Sequence, residues 1–260
     1  HPSSMWGYLV KVSRFGRFKN LRDFAIRYAD AIGWWRRDWR SYRSATNVIS
    51  VSCRLACQLN QSGVSASVVH PGTKISKETY RPVGGKGTKR LLIAALDLDE
   101  PRKGVRRLLH YLRCARVTCA FELTLVGKAS SDLQSRASKL SVRVDFLGPQ
   151  NREQLQVHMA QHDIFLFGSE IDDWGYVLIE AMAAGMVLVA PDASPYDEIV
   201  GEAGFTFPLR SPSGFSRALC NAFELDRIES SRISISRAVV CFSRPAFAKS
   251  LLAAHPVQEI

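Results

Sequence analysis

From residue 90 onward, short runs that are apolar almost throughout alternate with amphipathic stretches. An uninterrupted apolar run predicts a strand that is buried on both faces, and an amphipathic stretch after it predicts a helix crossing to the next strand. Strands joined in this way are parallel, and the helices cover both faces of their sheet. The sequence therefore predicts an α/β domain built on a doubly wound, Rossmann-like parallel sheet.

Individual elements follow from this alternation. The predicted strands cover residues 91–96, 121–127, 142–148, 164–168 and 186–190, and the predicted helices cover 104–116, 130–140 and 175–184. Asn151 followed by Gln154 predicts a capping box at the start of another helix, and Gly185 is placed to end the helix before it. Upstream we predict a strand at 47–52, a helix at 54–63 and a strand with a turn at 66–72. After Pro212 we predict helices with a break at 243–245.

The segment from Thr79 to Thr88 is rich in glycine and proline and has no apolar period, which is typical of a linker. We therefore predict a first domain over 1–82, a second over 83–225 and a helical tail over 226–260. The chain is 46% apolar over 260 residues, which excludes a disordered or fibrous protein. It begins at His1 without an initiator Met, so we expect a fragment of a longer protein.

The cysteine pattern and the hydropathy bear on location. The six cysteines are scattered, and no histidine is spaced to complete a zinc site, so we expect reduced thiols that are buried or half-buried. Reduced thiols favour a cytoplasmic protein. No apolar run approaches the roughly 18 residues that a bilayer crossing needs, so any membrane association is expected to be peripheral.

Residues that could take part in binding or catalysis collect after the predicted strands, where open parallel sheets bind ligands. Lys103 precedes Gly104 at a helix start, where free backbone N–H groups and the helix dipole favour an anion. A lysine there could neutralise a diphosphate. It could equally be a solvated lysine beside Arg102, and its position alone does not decide between the two.

Asp172 and Glu180 lie on either side of a helix start near Tyr176, where the N–H groups of Gly175, Tyr176 and Val177 have no intrahelical acceptor. Carboxylates beside a phosphate site could accept hydrogen bonds from sugar or ribose hydroxyls. Acidic residues at a helix N-terminus also simply complement its dipole, and the spacing alone favours that second interpretation.

Taken together, these motifs resemble the C-terminal domain of the family 4 glycosyltransferases, which have the GT-B fold. The resemblance rests on RKG at 102–104, LVG at 125–127, FLG at 146–148, the block DIFLFGSEIDDWGYVLIEAMAAGMVLVAPD at 163–192 and SPYDEIVGEAGFTF at 194–207. Residues 45–82 resemble the end of the family's N-terminal domain. The fold implied is GT-B, with a Rossmann-like C-terminal domain and an incomplete N-terminal Rossmann-like domain.

The resemblance also implies roles for particular residues. The family carries two glutamates separated by seven residues, and Asp172 and Glu180 have this spacing, with aspartate in the first position. By resemblance Asp172 contacts the donor sugar, Glu180 the ribose and Lys103 the diphosphate. Many relatives have an arginine where this chain has Leu98. The remaining expected donor-binding residues are Arg102, Gly127, Gly175, Tyr176, Val177 and Glu198.

The function implied is transfer of a hexose, with retention, from a nucleotide-sugar to a glycan or lipid-linked acceptor in surface polysaccharide or glycoconjugate biosynthesis. We expect no metal and no cofactor, because a basic residue and a helix dipole can stabilise the departing diphosphate. Two alternatives stay open at this point. One is a truncated or degenerate GT-B-like module that binds without catalysis, and the other is a basic nucleic-acid-binding protein.

The N-terminal segment is strongly basic and aromatic. Residues 1–45 hold ten Lys or Arg against three Asp, and they hold four of the five tryptophans. The stretch 9–44 could lie on an anionic membrane surface with its rings at the interface, on the inner face of the cell membrane. It could instead form amphipathic helices packed on the domain, or, as the least favoured reading, stack on nucleic acid.

Overall fold

The computed structural model describes residues 37, 39–75, 87–115, 117, 119–170, 174–193 and 195–254. The internal contacts divide the chain into two compact units, one of residues 1–69 with 251–260 and the other of residues 70–250. Most of the predicted linker lies outside the described residues, so the division at 82 and 225 stays a prediction. Within the described residues, no helix combines the length and the apolar character that a bilayer crossing requires.

The smaller unit contains one βαβ element. Strand β1 (Val48–Ser50) pairs in parallel with β2 (Ala66–Val68), and helix α1 (Cys53–Gln61) connects them. The Ser52 hydroxyl caps α1 by accepting a hydrogen bond from Leu55 N at 3.3 Å. The predicted strand, helix and strand are therefore confirmed, although both strands are shorter than predicted.

The larger unit is built on a six-stranded, fully parallel sheet. Its strands are β3 (Lys89–Asp97), β4 (Phe121–Lys128), β5 (Val144–Gly148), β6 (Ile164–Leu166), β7 (Val187–Pro191) and β8 (Gly204–Phe207). Their order across the sheet is β5-β4-β3-β6-β7-β8. From β3 the chain adds β4 and β5 on one side of the sheet, and it then returns to add β6, β7 and β8 on the other side. This reversal beside β3 is the topological switch point at which doubly wound sheets bind their ligands.

Helices cover both faces of this sheet, and each face has its own apolar core. One core joins α2 (Val105–Cys114), α3 (Ser131–Ala137) and α7 (Pro212–Glu224) to the sheet. The other joins α4 (Arg152–Ala160), α5 (Tyr176–Ala183), α6 (Tyr196–Val200) and α8 (Arg227–Phe242) to the opposite face. The last helix, α9 (Arg244–Ala254), follows α8 after a break at Ser243. The doubly wound sheet and the break near 243–245 are therefore confirmed.

The helix ends show how local sequence sets these elements. Asn151 and Gln154 form the predicted capping box at the start of α4, with hydrogen bonds of 2.8 and 3.0 Å. Gly185 follows α5 with a φ of +86°, which a side chain would disfavour. Pro195 is the N-cap residue of α6, which begins at Tyr196. Ser194, which precedes it, lies outside the described residues.

The cysteines and one histidine complete the description of the fold. None of the six cysteines forms a disulfide bond, as predicted. The prediction that they are buried or half-buried was wrong for four of them, because Cys53, Cys57, Cys114 and Cys119 are exposed. His162 lies between β4 and α4, 2.8 Å from the Thr124 hydroxyl and 2.6 Å from the His158 carbonyl. Burial lowers the pKa of His162, so the ring is neutral in the fold.

Candidate functional site

A pocket of about 550 Å³ opens at the carboxyl ends of β3 and β4 in the larger unit. This volume is within the roughly 300–1,000 Å³ range of small-molecule sites. Its lining comes from five separate stretches of the chain and consists of Ala94, Ala95, Leu96, Glu100, Arg102, Lys103, Val126, Gly127, Pro149, Gln150, Leu155, Phe167, Trp174, Gly175, Tyr176, Val177 and Glu180. The structure thus brings most of the sequence-predicted site residues into one cavity.

The cationic side of the pocket is a tight turn between β3 and α2. Residues Pro101–Lys103 form a single 3₁₀ turn, and Gly104 then caps the start of α2 with a φ of +64°. A Cβ atom on Gly104 would lie 2.1 Å from the Gly168 carbonyl oxygen, so only glycine fits there. Because the turn is held this closely against the neighbouring loop, Arg102 and Lys103 are both placed on the pocket wall. The Arg102 guanidinium also pairs with Glu100.

Gly127 permits the close approach of β3 and β4 at the pocket floor. Its φ is +136°, and a Cβ atom there would lie 1.8 Å from the Ala95 carbonyl oxygen. The register of the two strands also shifts between Ala94 and Asp97, which is a bulge at this point. Gly127 therefore lets the backbones of β3 and β4 lie in direct contact where they form the floor of the pocket.

The start of helix α5 forms the opposite wall. Gly175 caps the helix with a φ of +82°, and the first described hydrogen bond at this end runs from Leu178 N to Gly175 O at 2.9 Å. The backbone N–H groups of Gly175, Tyr176 and Val177 precede that bond and carry the positive end of the helix dipole. A helix start of this kind attracts a negatively charged group.

Glu180 extends into the same cavity from the second turn of α5, where its side chain is 18% exposed. Its Oε1 atom lies 2.8 Å from an Nη atom of Arg152, at the start of α4. The same Arg152 nitrogen lies 3.4 Å from the Thr73 hydroxyl. Arg152 was not predicted from the sequence, because nothing in its spacing indicates that α4 and α5 would bring it to Glu180.

Trp174 is a second residue that sequence reasoning passed over. It is 3% exposed, lines the pocket and packs against His70 and Phe242 with ring centroids 5.3 and 6.2 Å apart. Its indole N–H is buried and finds no hydrogen-bond partner among the described residues. The sequence did carry one indication of its role, because Trp174 directly precedes Gly175 at the helix start. In the structure its ring forms part of the pocket wall.

Arg107 holds the loop that follows β6 against the turn at Lys103. Its Nη2 atom donates to the Gly168 carbonyl at 2.7 Å. Glu170 N and the Ser169 hydroxyl both donate to the Arg102 carbonyl, at 2.9 and 3.2 Å. These bonds fix the loop that leads toward Asp172, which itself lies outside the described residues.

Glu198, an expected donor-binding residue, and Leu98 both lie outside the pocket lining. The Oε2 atom of Glu198 lies 3.4 Å from His70 Nε2. Leu98 stands where many relatives have an arginine, and it is 1% exposed in the apolar core. Among the described residues that line the pocket, Arg102 is the only arginine.

Asp97 and Asp99 form an Asp-x-Asp triplet, a pattern found in metal-dependent sugar transferases. In the structure the Asp99 carboxylate accepts hydrogen bonds from Ser130 N at 2.6 Å, the Ser130 hydroxyl at 2.8 Å and Arg106 at 2.5 Å. Asp97 accepts from Asp99 N at 2.9 Å. Neither carboxylate lines the pocket. The triplet therefore stabilises the loop after β3.

A pocket at the switch point of a doubly wound sheet, with a lysine, a helix N-terminus and a carboxylate on its walls, defines an α/β domain suited to a phosphorylated ligand. The family model described as "Glycosyl transferases group 1" matches residues 89–224, which is more than half of the chain. The chain belongs to this glycosyltransferase family, as its motifs indicated.

Curated relatives agree with this membership. The chain is 31% identical over 145 residues to the phosphatidyl-myo-inositol mannosyltransferase of Mycolicibacterium smegmatis, a stretch covering 52% of this chain and 36% of that protein. It is 27% identical over 210 residues to the MMP alpha-(1->4)-mannosyltransferase of Mycolicibacterium hassiacum, covering 74% of this chain and 51% of that protein. The chain thus matches between about a third and a half of the length of these two relatives.

Solved structures confirm the expected fold class. WaaG, a glycosyltransferase involved in lipopolysaccharide biosynthesis, superposes with a TM-score of 0.67 at 18% identity, covering 97% of this chain and 73% of that one. HepE of Anabaena in complex with UDP superposes with a TM-score of 0.66 at 18% identity, covering 96% and 76%. The α/β fold with a Rossmann-like parallel sheet is therefore of the GT-B type.

Proposed function

We propose that this chain carries the donor-binding half of a retaining glycosyltransferase that moves a hexose from a nucleoside diphosphate sugar to a glycan or lipid-linked acceptor. The observation that carries the proposal is the convergence of Lys103, Glu180 and the start of α5 on one cavity. Related mannosyltransferases and a structural neighbour with UDP support this choice of ligand. Surface polysaccharide or glycoconjugate biosynthesis, on the cytoplasmic side of the membrane, is the setting we propose.

In this proposal the diphosphate lies between the two positive elements of the pocket. Lys103 and Arg102 approach it from the turn after β3, and the N–H groups of Gly175, Tyr176 and Val177 approach it from α5. Glu180 accepts hydrogen bonds from ribose hydroxyls, and Asp172 contacts the donor sugar. As the bond to the sugar breaks, negative charge grows on the diphosphate, so positioned cations and dipoles lower the barrier.

We propose that this binding needs no divalent cation, because the cations and the helix start supply the positive charge near the diphosphate. The carboxylates of Asp97 and Asp99 are engaged in the loop after β3, which supports this part of the proposal. Titration of a nucleoside diphosphate in the presence of EDTA and of added Mg²⁺ tests it. Equal affinities are expected, and a loss of affinity in EDTA would contradict it.

A second candidate is a GT-B-like module that binds a nucleotide-sugar without transferring it. The burial of Leu98 in the core favours it, since no arginine can reach the pocket from that position. Aspartate in place of the first glutamate of the family pattern also favours it. The two candidates share the same pocket and differ only in turnover.

A thermal-shift screen with UDP-, GDP- and ADP-sugars beside single-stranded nucleic acid separates these functions from nucleic-acid binding. We expect one nucleotide-sugar to stabilise the protein and the nucleic acid to have no effect. Stabilisation by nucleic acid alone would overturn the proposal. Release of the free nucleoside diphosphate on adding a lipid-linked acceptor then distinguishes the enzyme from the binding module.

The predicted membrane-binding stretch, residues 9–44, lies mostly outside the described residues. We propose it as a peripheral contact with anionic lipid, because of its basic and aromatic composition. Co-sedimentation of the chain with anionic vesicles should be lost at high salt, since surface charge is screened. Co-sedimentation that does not depend on salt would contradict an electrostatic contact.

A further inference from the structure

A second concave site lies between helices α2 and α3 in the larger unit. It has a volume of about 200 Å³ and is lined by Arg106, Leu109, His110, Arg113, Arg136 and Lys139. We call this site the basic groove. It shares no lining residue with the pocket at the strand ends. Five of its six lining side chains are basic, so its chemistry points to an anion.

The groove follows from the spacing of these residues along the two helices. Arg106, His110 and Arg113 are four and then three residues apart on α2, which places them on one face. Arg136 at the end of α3 and Lys139 just beyond it are three apart on the facing segment. Leu109 is buried beneath them and belongs to the core.

The carboxylates near the groove compensate only part of its positive charge. Arg106 pairs with Asp99 at 2.5 Å and with Asp132, and Arg136 pairs with Asp132 at 3.0 Å. The hydrogen bonds from Arg106 and Arg136 lower the pKa of Asp132, so that carboxylate is fully ionised at neutral pH.

Two cations of the groove have no such compensation. In the part of the chain that the structure describes, no carboxylate lies within ion-pair distance of Arg113 or Lys139. Two formal positive charges are therefore left over, together with His110, whose Nδ1 atom lies 3.5 Å from Arg113 Nη2.

Complementing the helix dipoles explains only some of these residues. Arg113 and Arg136 lie in the last turns of their helices, where a cation is favourable. Arg106 lies in the first turn of α2, where a cation is unfavourable, and it nevertheless faces the same groove. Ion pairs with Asp99 and Asp132 explain the position of Arg106. An anionic ligand accounts for the convergence of Arg113, Lys139 and His110 on the same cavity.

We propose that the basic groove binds a phosphate group carrying two negative charges. Arginine side chains present forked donors that match phosphate oxygens, and lysine adds a point charge. The volume is less than half that of the pocket, so the site suits a phosphate with little attached to it. The phosphate belongs either to a small soluble molecule or to the headgroup of a lipid, since both present the same chemistry to the groove.

NMR titration of the intact chain with inorganic phosphate tests the soluble source. We expect saturable shifts of the backbone amides of α2 and α3. The double substitution Arg113→Gln and Lys139→Gln should weaken phosphate binding by about tenfold, because two charge-assisted contacts at solvent-exposed positions become neutral ones. Both residues are exposed, so the variant keeps the fold. Lys103→Gln should leave these shifts unchanged, which separates the groove from the pocket.

NMR titration with a short-chain, water-soluble phosphatidic acid tests the lipid source, because the shifts of α2 and α3 report on the groove separately from the membrane contact proposed for residues 9–44. The control variant is Arg232→Gln with Lys249→Gln, which removes the same charge from exposed positions on α8 and α9. Binding of either probe that is lost in the groove variant and kept in the control supports the proposal and identifies the source. Equal behaviour of both variants with both probes, or no binding of either probe by the unmodified chain, would overturn it.

Discussion

The pocket and the basic groove both collect positive charge, but they are built in different ways. The pocket joins residues from β3, β4, α4 and α5 that lie far apart in the sequence, and its walls depend on glycines that no other residue can replace. The groove uses side chains of two neighbouring helices, held by exposed ion pairs. Its backbone is ordinary helix.

This difference indicates what each region can recognise. The pocket combines cations with a carboxylate, backbone N–H groups and apolar walls, so it can distinguish the parts of a composite ligand. The groove offers only charge and short-range donors, so it can recognise little more than an anion. Changes in the pocket are therefore expected to affect folding and specificity, whereas changes in the groove should affect only salt-dependent binding.

The largest expected effect comes from the pocket floor. Gly127→Ala places a Cβ atom 1.8 Å from a backbone oxygen at a φ of +136°, so we expect the free energy of unfolding to fall by about 3 kcal/mol. Gly148→Ala is the matched control, since its φ is +66° with nothing within 4 Å. That change should cost about 1 kcal/mol from the left-handed backbone alone. If urea denaturation showed the same loss of unfolding free energy for both variants, β3 and β4 would have to move apart easily to accommodate the new Cβ atom.

Removing the cation beside the diphosphate should have the next largest effect. Lys103→Gln is expected to weaken binding of a nucleoside diphosphate about tenfold, or about 1.4 kcal/mol, while binding of the nucleoside itself stays unchanged. Calorimetric titration with both ligands measures this, and Lys249→Gln removes an equal charge elsewhere. If affinity for the nucleoside fell equally, Lys103 would act on the pocket's shape and not on phosphate charge.

Low pH should reduce the stability of the larger unit through His162, which lies beside α4. Because burial lowers the pKa of His162, only the unfolded chain takes up this proton near its ordinary pKa of about 6.5. Stability from this group is therefore present above pH 6.5 and is lost as the pH falls below it. His162→Gln should remove that loss. Denaturation curves at pH 7 and 5.5 check it, and an unchanged pH dependence in the variant would exclude His162 as the cause.

The smallest expected effect concerns the partner of Glu180. Arg152→Gln leaves the Glu180 carboxylate uncompensated near the diphosphate, so affinity for a nucleoside diphosphate should fall about threefold, within the range of a half-exposed ion pair. In a Glu180→Gln background the same change should have little effect, because no charge remains to compensate. A double-mutant cycle measures this coupling, and additive effects would show that Arg152 acts independently of Glu180.

Sequence reasoning predicted the fold well because the strands of the large sheet are nearly continuous apolar runs. It missed β8, since Gly204–Phe207 is short and begins with a glycine. Lys103, Glu180 and the start of α5 could be expected to meet, because the carboxyl ends of parallel strands share one edge. Arg152 could not be expected there, since its placement depends on how α4 and α5 pack, which no local pattern encodes. Trp174 could have been expected, since it directly precedes Gly175 at the helix start.

Calorimetric titration of the unmodified chain and of Glu180→Ala with a nucleoside diphosphate sugar tests the central claim, that the pocket binds a nucleotide-sugar donor. We expect saturable one-to-one binding by the unmodified chain and no detectable binding by the variant, with circular dichroism showing both folded. Undiminished affinity in the folded Glu180→Ala variant would contradict the assignment of this pocket as the donor site.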